Sequence, residues 1–221
     1  MRLPLSTQFD ERYFASVYGD YSRQNPPRKL RFYRELLERY LPPTPAPRVL
    51  DLGCAFGLFL AGLPREFQRY GVDASHHALS AAAQRVPQAH FINADCGNPP
   101  ISSRFDAIVA FDVLEHLPEA EATLDFVRRS LNPKGVFLFV VPVYDGPLGP
   151  VIRWLDRDPT HVHKRSREWW LELARQGFDV VSWTGILRYL VARRYYVHMP
   201  SPAIRGVAPA IAVVCRLRAA L

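Results

Sequence analysis

Residues 49–60 read VLDLGCAFGLFL, and this stretch decides the fold class. The apolar run at 48–52 predicts a short buried strand, and the pattern Asp51-x-Gly53-x-x-x-Gly57 leads from its end into a predicted helix. In an open α/β sheet, ligands bind at the carboxyl ends of the strands. Glycine lets the backbone approach a ligand closely there, because it has no Cβ. The stretch therefore predicts the first strand–turn–helix unit of an α/β sheet, with a ligand site at the turn.

The same alternation of elements continues along the chain. Apolar segments predict seven strands, at 48–52, 70–72, 90–92, 105–111, 136–141, 178–183 and 210–214. The pattern between them predicts helices at 29–40, 58–65, 76–85, 119–131 and 166–176, with a turn at 132–135 and a loop at 144–165. Such alternation is typical of a doubly wound, Rossmann-like α/β fold, in which right-handed crossovers place helices on both faces. We therefore expect a mostly parallel, seven-stranded sheet.

The whole chain, residues 1–221, is predicted to form a single domain, because its length suits one domain with a sizeable core. Its predicted parts are a helical cap, a ligand-binding core and a substrate-side region, at 1–47, 48–142 and 143–221. Aromatic residues are frequent at both ends of the chain, which predicts an aromatic cap over the binding site. We expect Tyr13, Tyr18 and Tyr21 to lie near the ligand.

The composition is that of a folded globular protein, with 48% hydrophobic and 22% charged residues. The longest apolar stretch, at 136–143, is far shorter than the ~20 residues that span a bilayer, and the N-terminal residues show no signal-peptide pattern. Cys54, Cys96 and Cys215 are scattered without metal or redox spacing. We therefore expect a cytoplasmic protein without a transmembrane segment.

Positive charge is concentrated near the C-terminus. The net charge is +7, and no acidic residue follows Asp179, whereas six arginines do. Such an excess can attract nucleic acid, an anionic lipid surface or an anionic substrate, or it can form a solvated surface. The sequence therefore does not decide between these partners, and peripheral contact with a membrane is one of the alternatives.

Four acidic residues each follow an apolar strand at regular spacing: Asp51, Asp73, Asp95 and Asp112. A carboxylate at the end of the second strand can accept hydrogen bonds from both hydroxyls of a ribose. The glycine spacing differs from the Gly-x-Gly-x-x-Gly fingerprint of dinucleotide dehydrogenases, and no Gly-Lys-Ser/Thr follows as in a P-loop. The pattern therefore favours another nucleoside-containing ligand.

These motifs resemble class I S-adenosylmethionine-dependent methyltransferases, whose first motif reads acidic-x-Gly-x-Gly-x-Gly. This sequence departs at the middle glycine, which is Ala55, and close approach to the cofactor survives there provided that the φ angle of Ala55 is negative. The resemblance implies that Asp73 binds the ribose, that Asp95 approaches the adenine, and that Gly53 and its neighbours surround the methionine part. The implied cofactor-binding residues also include Asp51, Cys54, Ala55, Gly57, Ala74, Cys96, Phe111 and Asp112.

A closer similarity involves two further segments. FDAIVAFDVLEHL, followed by LNPKGVFLF, is similar to the ubiquinone-biosynthesis O-methyltransferase group. The segment RQNPPR at 23–28 resembles an Arg-x-Asn-Pro-x-Arg element of that group. Its second arginine contacts the cofactor carboxylate there, which points to Arg28 in this chain. A guanidinium suits a carboxylate because it donates paired hydrogen bonds.

A hydroxyl acceptor needs a general base, because it is a poor nucleophile when neutral. His116, just beyond the fourth strand, and His161, in the following histidine-containing loop, are the predicted catalytic residues. Oxygen and imidazole ligands from Asp158, His161 and His163 could in principle hold a metal ion. Close spacing on a loop does not establish that they converge, so no metal site is predicted.

The resemblance thus predicts transfer of a methyl group from S-adenosylmethionine to a small-molecule acceptor, with S-adenosylhomocysteine as the product. We expect an anionic or aromatic acceptor that is methylated at a hydroxyl. One alternative is a nucleic-acid methyltransferase, which is disfavoured because Phe111-Asp112-Val113-Leu114 differs from the Asn/Asp-Pro-Pro-Tyr/Phe motif of many base-amino methylating enzymes. The other alternative is a non-catalytic protein that binds the cofactor, since fold does not dictate function.

Overall fold

The computed structural model describes residues 9–18, 20–156, 158–191 and 195–218, and within them one mixed sheet organises the chain. The order of its eight strands is β3-β2-β1-β4-β5-β8-β6-β7. The strands are β1 (Arg48–Leu52), β2 (Gln68–Asp73), β3 (His90–Asn93), β4 (Phe105–Phe111), β5 (Leu131–Pro142), β6 (Phe178–Val191), β7 (Tyr195–Ser201) and β8 (Ala210–Leu217). The predicted α/β fold is confirmed, although the sheet has eight strands rather than seven.

The first five strands are parallel and create the position for a ligand. β1 pairs with β2 on one side and with β4 on the other, so the strand order reverses at β1. In doubly wound sheets, ligands bind at the carboxyl ends of the strands next to such a reversal. The glycine turn after β1 lies at this point.

The far half of the sheet is antiparallel and contains the additional strand. β8 pairs antiparallel with both β5 and β6, and β6 pairs antiparallel with β7. The sequence prediction ended β6 at residue 183 and assigned the following aromatic segment to the cap. The prediction was wrong because β6 continues to Val191 and forms a ladder with β7, from Gly185↔Ser201 to Val191↔Tyr195.

Helices cover the two faces of the sheet. They are α1 (Pro27–Tyr40), α2 (Leu58–Ala61), α3 (His76–Arg85), α4 (Ala120–Ser130), α5 (Gly149–Leu155) and α6 (Arg167–Gly177). Short helical segments also occur at Glu11–Tyr13, Phe14–Tyr18, Tyr21–Gln24, Leu114–His116 and Pro202–Ile204. α2 is shorter than predicted, since Gly62 and Pro64 follow it directly, and both residues disfavour a helix interior. α5 lies in a segment that was predicted to be a loop, and residues 132–135 belong to β5 rather than to a separate turn.

Each face of the sheet packs against its own apolar cluster. In β5, Phe137 and Phe139 belong to one cluster, whereas Val136 and Leu138 belong to the other. Successive side chains of a strand point to opposite faces, so a strand that is covered on both faces is apolar throughout. This packing explains the apolar runs at 107–111 in β4 and at 136–142 in β5. None of the described helices is long and apolar enough to cross a membrane.

Candidate active site

A cavity of about 1250 Å³ opens at the carboxyl ends of β1, β2 and β4. Aromatic residues of the N-terminal segment and residues at 155–156, 158–159 and 161 also line it. Tyr13 and Tyr21 line it as predicted, whereas the side chain of Tyr18 lies outside the described part of the chain. The cavity brings together most of the predicted cofactor-binding residues: Asp51, Gly53, Cys54, Ala55, Asp73, Ala74, Asp95, Cys96, Phe111 and Asp112.

The turn after β1 is held in a left-handed conformation. Gly53 has a φ of +71°, and a Cβ at this residue would lie 2.3 Å from Cγ2 of Val113. Only glycine fits both the backbone and the space. Ala55 has a φ of +42°, so the negative φ on which close approach at this residue was made to depend is not found. Its backbone N–H donates to Oδ2 of Asp73 at 2.8 Å, and this hydrogen bond holds the residue in the less favoured region.

Asp73 connects the turn to the end of β2. Its Oδ2 accepts from Ala55, and its Oδ1 accepts from the backbone N–H of Ser75 at 2.8 Å. Burial raises the pKa of Asp73, and these two backbone donors act in the opposite direction. Burial and the nearby Asp73 raise the pKa of Asp51 well above its ordinary value. The two backbone donors therefore fix the orientation of the Asp73 side chain, which lines the cavity.

Two predicted cofactor residues do not line the cavity. Gly57 precedes α2 with a φ of +68°, and a Cβ there would lie 3.1 Å from Cβ of Ala82, so it supports the turn from behind. Arg28 is exposed on α1. Its neighbour Lys29 lines the cavity instead and is only 5% exposed.

Lys29 belongs to a partly buried group of three charges, which the sequence analysis missed. Its Nζ lies 3.3 Å from Oδ2 of Asp112, and Arg188 donates to the other carboxylate oxygen. Burial alone would raise the pKa of Asp112, but Arg188 and Lys29 hold it well below its ordinary value. The group has two cations and one anion, so it presents a net positive charge to the cavity and suits a carboxylate.

A second group of polar side chains, around His161, also lines the cavity. Nδ1 of His161 lies 2.9 Å from Oδ2 of Asp156, and the hydroxyl of Tyr144 donates to the same carboxylate oxygen at 2.6 Å. Its Nε2 lies 4.0 Å from Oε1 of Glu115 and 3.9 Å from Oδ2 of Asp158. Burial lowers the pKa of His161, but the bond to Asp156 and the charges of the neighbouring carboxylates outweigh it, so the pKa is raised.

His116 lies beside His161, with 4.7 Å between the ring centroids. Its Nδ1 is 2.8 Å from Oγ1 of Thr160, whose hydroxyl donates to Asp158. Burial and the adjacent His161 lower the pKa of His116 to about 4. Tyr13 joins this group by donating to Oδ2 of Asp158 at 2.9 Å. The structure therefore brings both predicted catalytic histidines to one place.

Glu115 is a further site residue that the sequence analysis missed. It is 1% exposed and lines the cavity, and its Oε2 has no hydrogen-bond partner among the described residues. Burial and the charge of Asp112 raise the pKa of Glu115 to about 8. An acidic residue between Leu114 and His116, after an apolar strand, was the available signal in the sequence.

His163 does not join this group. Its Nε2 lies 2.9 Å from the carbonyl oxygen of Leu117, and its ring stacks against Trp169 at a centroid distance of 5.4 Å. The fold therefore does not bring His163 together with Asp158 and His161, the three residues that the sequence analysis considered as metal ligands.

Comparison with known proteins gives the family. The family model described as "Methyltransferase domain" matches residues 21–184. The chain belongs to this family. A trans-aconitate 2-methyltransferase of Azoarcus sp. (strain BH72) is 30% identical to this chain over 197 residues. The match covers 74% of this chain and 78% of the relative.

Solved structures share the fold. An S-adenosylmethionine-dependent methyltransferase of Thermotoga maritima matches with a TM-score of 0.67 at 16% identity, covering 93% of this chain and 98% of that one. The N-methyltransferase NodS of Bradyrhizobium japonicum WM9, in complex with S-adenosylhomocysteine, matches with a TM-score of 0.63 at 18% identity, covering 89% and 91%. The methyltransferase has the class I fold, and its cofactor is S-adenosylmethionine.

Proposed function

We propose that the methyltransferase transfers the methyl group of S-adenosylmethionine to a hydroxyl oxygen of a small-molecule acceptor. The observation that carries this proposal is the pair His116 and His161, which lies in the same cavity as the glycine turn and Asp73. A hydroxyl must lose its proton to attack the methyl group, and side chains that promote this loss are needed at the acceptor end. We propose that these two histidines activate the acceptor.

The cofactor would occupy the end of the cavity formed by the parallel strands. In this proposal Asp73 accepts hydrogen bonds from the ribose, and the Lys29 and Arg188 cations hold the carboxylate. Gly53 allows the backbone to approach the methionine part, Cys54 and Ala55 border that part, and Asp95 and Cys96 border the adenine. When bound, the sulfonium supplies the methyl group and a good leaving group, so the protein mainly orients the two reactants and excludes water.

The charged groups of the cavity favour a hydroxyl acceptor over a polycarboxylate. Of the described cationic side chains that line the cavity, Lys29 and Arg188 are paired with Asp112 and are proposed to hold the cofactor carboxylate, and Arg23 is paired with Asp20. Lys164, 2.9 Å from Asp156, is paired as well. An acceptor with several carboxylates therefore finds no unpaired cation among these side chains.

Aromatic side chains complete the acceptor end and indicate the type of molecule. Phe9 packs edge-on against both Tyr13 and His116, with ring centroids 5.0 and 5.7 Å apart. Phe14 packs in the same way against Tyr13 at 5.4 Å. Aromatic walls with a few placed polar groups bind aromatic or otherwise apolar ligands. We therefore propose an aromatic hydroxyl compound as the acceptor class.

Carboxyl methylation is the second candidate, because the Azoarcus relative is a trans-aconitate 2-methyltransferase. Membership of the ubiquinone-biosynthesis O-methyltransferase group, a cytoplasmic location and the exclusion of nucleic-acid acceptors stay predictions from the sequence.

The test is an assay of S-adenosylhomocysteine release with a panel of phenols, catechols and trans-aconitate. We expect turnover with the aromatic hydroxyl compounds. In His161→Gln and His116→Gln, turnover should fall by about 10²–10⁴-fold, the usual contribution of proton-transfer groups. His163→Gln is the matched control, because its imidazole contacts Leu117 rather than the acceptor end. Turnover of trans-aconitate alone, or full activity of both histidine variants, would overturn the hydroxyl proposal.

A further inference from the structure

Glu115, His116 and His161 place one carboxylate and two imidazoles around a single point of the cavity. One ligand atom from each lies within 4.8 Å of the other two. Glu115 and His116 are buried, and the side chain of His161 is 16% exposed. Three groups of this kind seldom converge in a buried place without a common partner.

The outer contacts leave a lone pair free on each imidazole. Asp156 can only accept, so Nδ1 of His161 carries the proton and Nε2 is the available ligand atom. The hydroxyl of Thr160 donates to Asp158, so its oxygen accepts from Nδ1 of His116. Nε2 of His116 is then available as well. Histidines that bind metal ions usually donate their other ring N–H to a carboxylate or another acceptor in this way.

Glu115 is the residue that a simple general-base mechanism leaves unexplained. Proton removal needs one imidazole, and it gives no partner to the buried Oε2 of Glu115. A buried carboxylate oxygen without a partner is costly, and imidazole lone pairs are acceptors that cannot donate to a carboxylate. A cation at the shared point would satisfy all three groups.

We propose that Glu115, His116 and His161 bind one divalent transition-metal ion at the acceptor end of the cavity. Two imidazoles and one carboxylate with open positions suit Mn²⁺, Fe²⁺, Co²⁺ or Zn²⁺, whereas Mg²⁺ and Ca²⁺ prefer sets of oxygen ligands. Oδ2 of Asp158, 3.9 Å from Nε2 of His161, offers a further oxygen. The sequence predicted no metal because Glu115 is distant in sequence from the 158–163 segment that was considered.

This inference rests on the proposed function and states how the two histidines act. The ion would orient the acceptor and make its hydroxyl more acidic, as a Lewis acid does. The hydroxyl proton leaves to water, and the O–CH₃ bond forms as the S–CH₃ bond breaks. The electron pair of the broken bond stays on sulfur, which becomes the thioether of S-adenosylhomocysteine. Histidine then serves as a ligand rather than as the base.

The test uses untagged full-length protein that has been dialysed against a chelator, with Co²⁺ as the probe. Visible absorption reports the ligand field, and calorimetry gives the stoichiometry and affinity. We expect one Co²⁺ per chain for the wild type and for the control His163→Gln. In Glu115→Gln and His161→Gln, the affinity should fall by more than about tenfold, since even outer partners of metal ligands contribute that much. Two variants are used so that a folding defect in one, visible in its thermal melt, does not decide the result.

Three results would overturn the proposal. The first is that the wild type fails to bind Co²⁺, Mn²⁺, Fe²⁺ or Zn²⁺. The second is that both variants bind Co²⁺ as tightly as the wild type. The third is a near-ultraviolet charge-transfer band typical of thiolate, which would assign the ion to Cys54 or Cys96 on the cavity wall. S-adenosylhomocysteine binding in the same samples separates the two proposals, because its loss would contradict the cofactor assignment, whereas loss of Co²⁺ binding alone contradicts only the metal site.

Discussion

Replacing Lys29 with methionine tests which cation holds the cofactor carboxylate. Lys29 is 5% exposed, its Nζ lies 3.3 Å from Oδ2 of Asp112, and it lines the cavity, so its charge is available to a bound ligand rather than to bulk solvent. A hydrogen bond to a charged group contributes about 1.5–3 kcal/mol, and each 1.4 kcal/mol is a factor of ten, so we expect the Kd of S-adenosylhomocysteine to rise roughly 10- to 150-fold. Asp112 keeps its contact with Arg188, so the variant should still fold. Isothermal titration calorimetry measures the affinity, and a thermal melt without ligand checks the fold.

Arg28→Met is the matched control for this prediction. Arg28 is the adjacent residue and was the cofactor ligand implied by the sequence, but its side chain is exposed and does not line the cavity. We expect its Kd to change by less than about twofold, since exposed substitutions away from a site have small effects. A larger loss of affinity in Arg28→Met than in Lys29→Met would refute the reasoning from burial and restore Arg28 as the carboxylate ligand.

Three further outcomes can be stated. Asp73→Asn removes the charge proposed to hold the ribose, and calorimetry should show S-adenosylhomocysteine binding about 10- to 100-fold weaker; unchanged affinity would contradict this role. Gly53→Ala would place a side chain on a residue with a φ of +71°, with its Cβ 2.3 Å from Cγ2 of Val113. Urea unfolding should therefore show that the free energy of unfolding falls by about 2–4 kcal/mol. A loss below about 1 kcal/mol would mean that the turn relaxes easily. S-adenosylhomocysteine at a hundred times its Kd should raise the free energy of unfolding by about 2.7 kcal/mol, and a melt without any shift would argue against binding to the folded state.

The parallel half of the sheet was predictable because its signal is local. β1, β4 and α3 have the bounds that the sequence predicted, since strands covered on both faces are largely apolar and Ser75 caps α3 through its side chain. β7 and α5 were not predictable in this way. β7 depends on antiparallel pairing with β6, and α5 is a short helix with exposed apolar residues and no amphipathic pattern to indicate it.

The site residues also divide into those with a local sequence signal and those that depend on tertiary contacts. Asp73 and Gly53 belong to motifs in which strand, turn and acid are adjacent in sequence. Lys29 was missed because the side chains of consecutive helix residues point about 100° apart, so the exposed Arg28 and the buried Lys29 could not be distinguished from a motif alone. Glu115 and Asp156 were missed because their roles depend on contact with His161, which only the tertiary structure brings about.

Residues 112–116 couple the cofactor end of the site to the acceptor end. Asp112 pairs with the cations of the cofactor end, whereas Glu115 and His116 lie at the acceptor end. Val113 and Leu114 between them are buried, and β4, which precedes the segment, is paired on both sides by β1 and β5. A displacement of about 1 Å between reactants can cost 10²-fold in rate, so this anchoring matters for methyl transfer. We therefore expect the central sheet to set the distance between donor and acceptor in the proposed arrangement, and the lining residues of the N-terminal segment and of positions 155–156 and 158–161 to determine which acceptor enters.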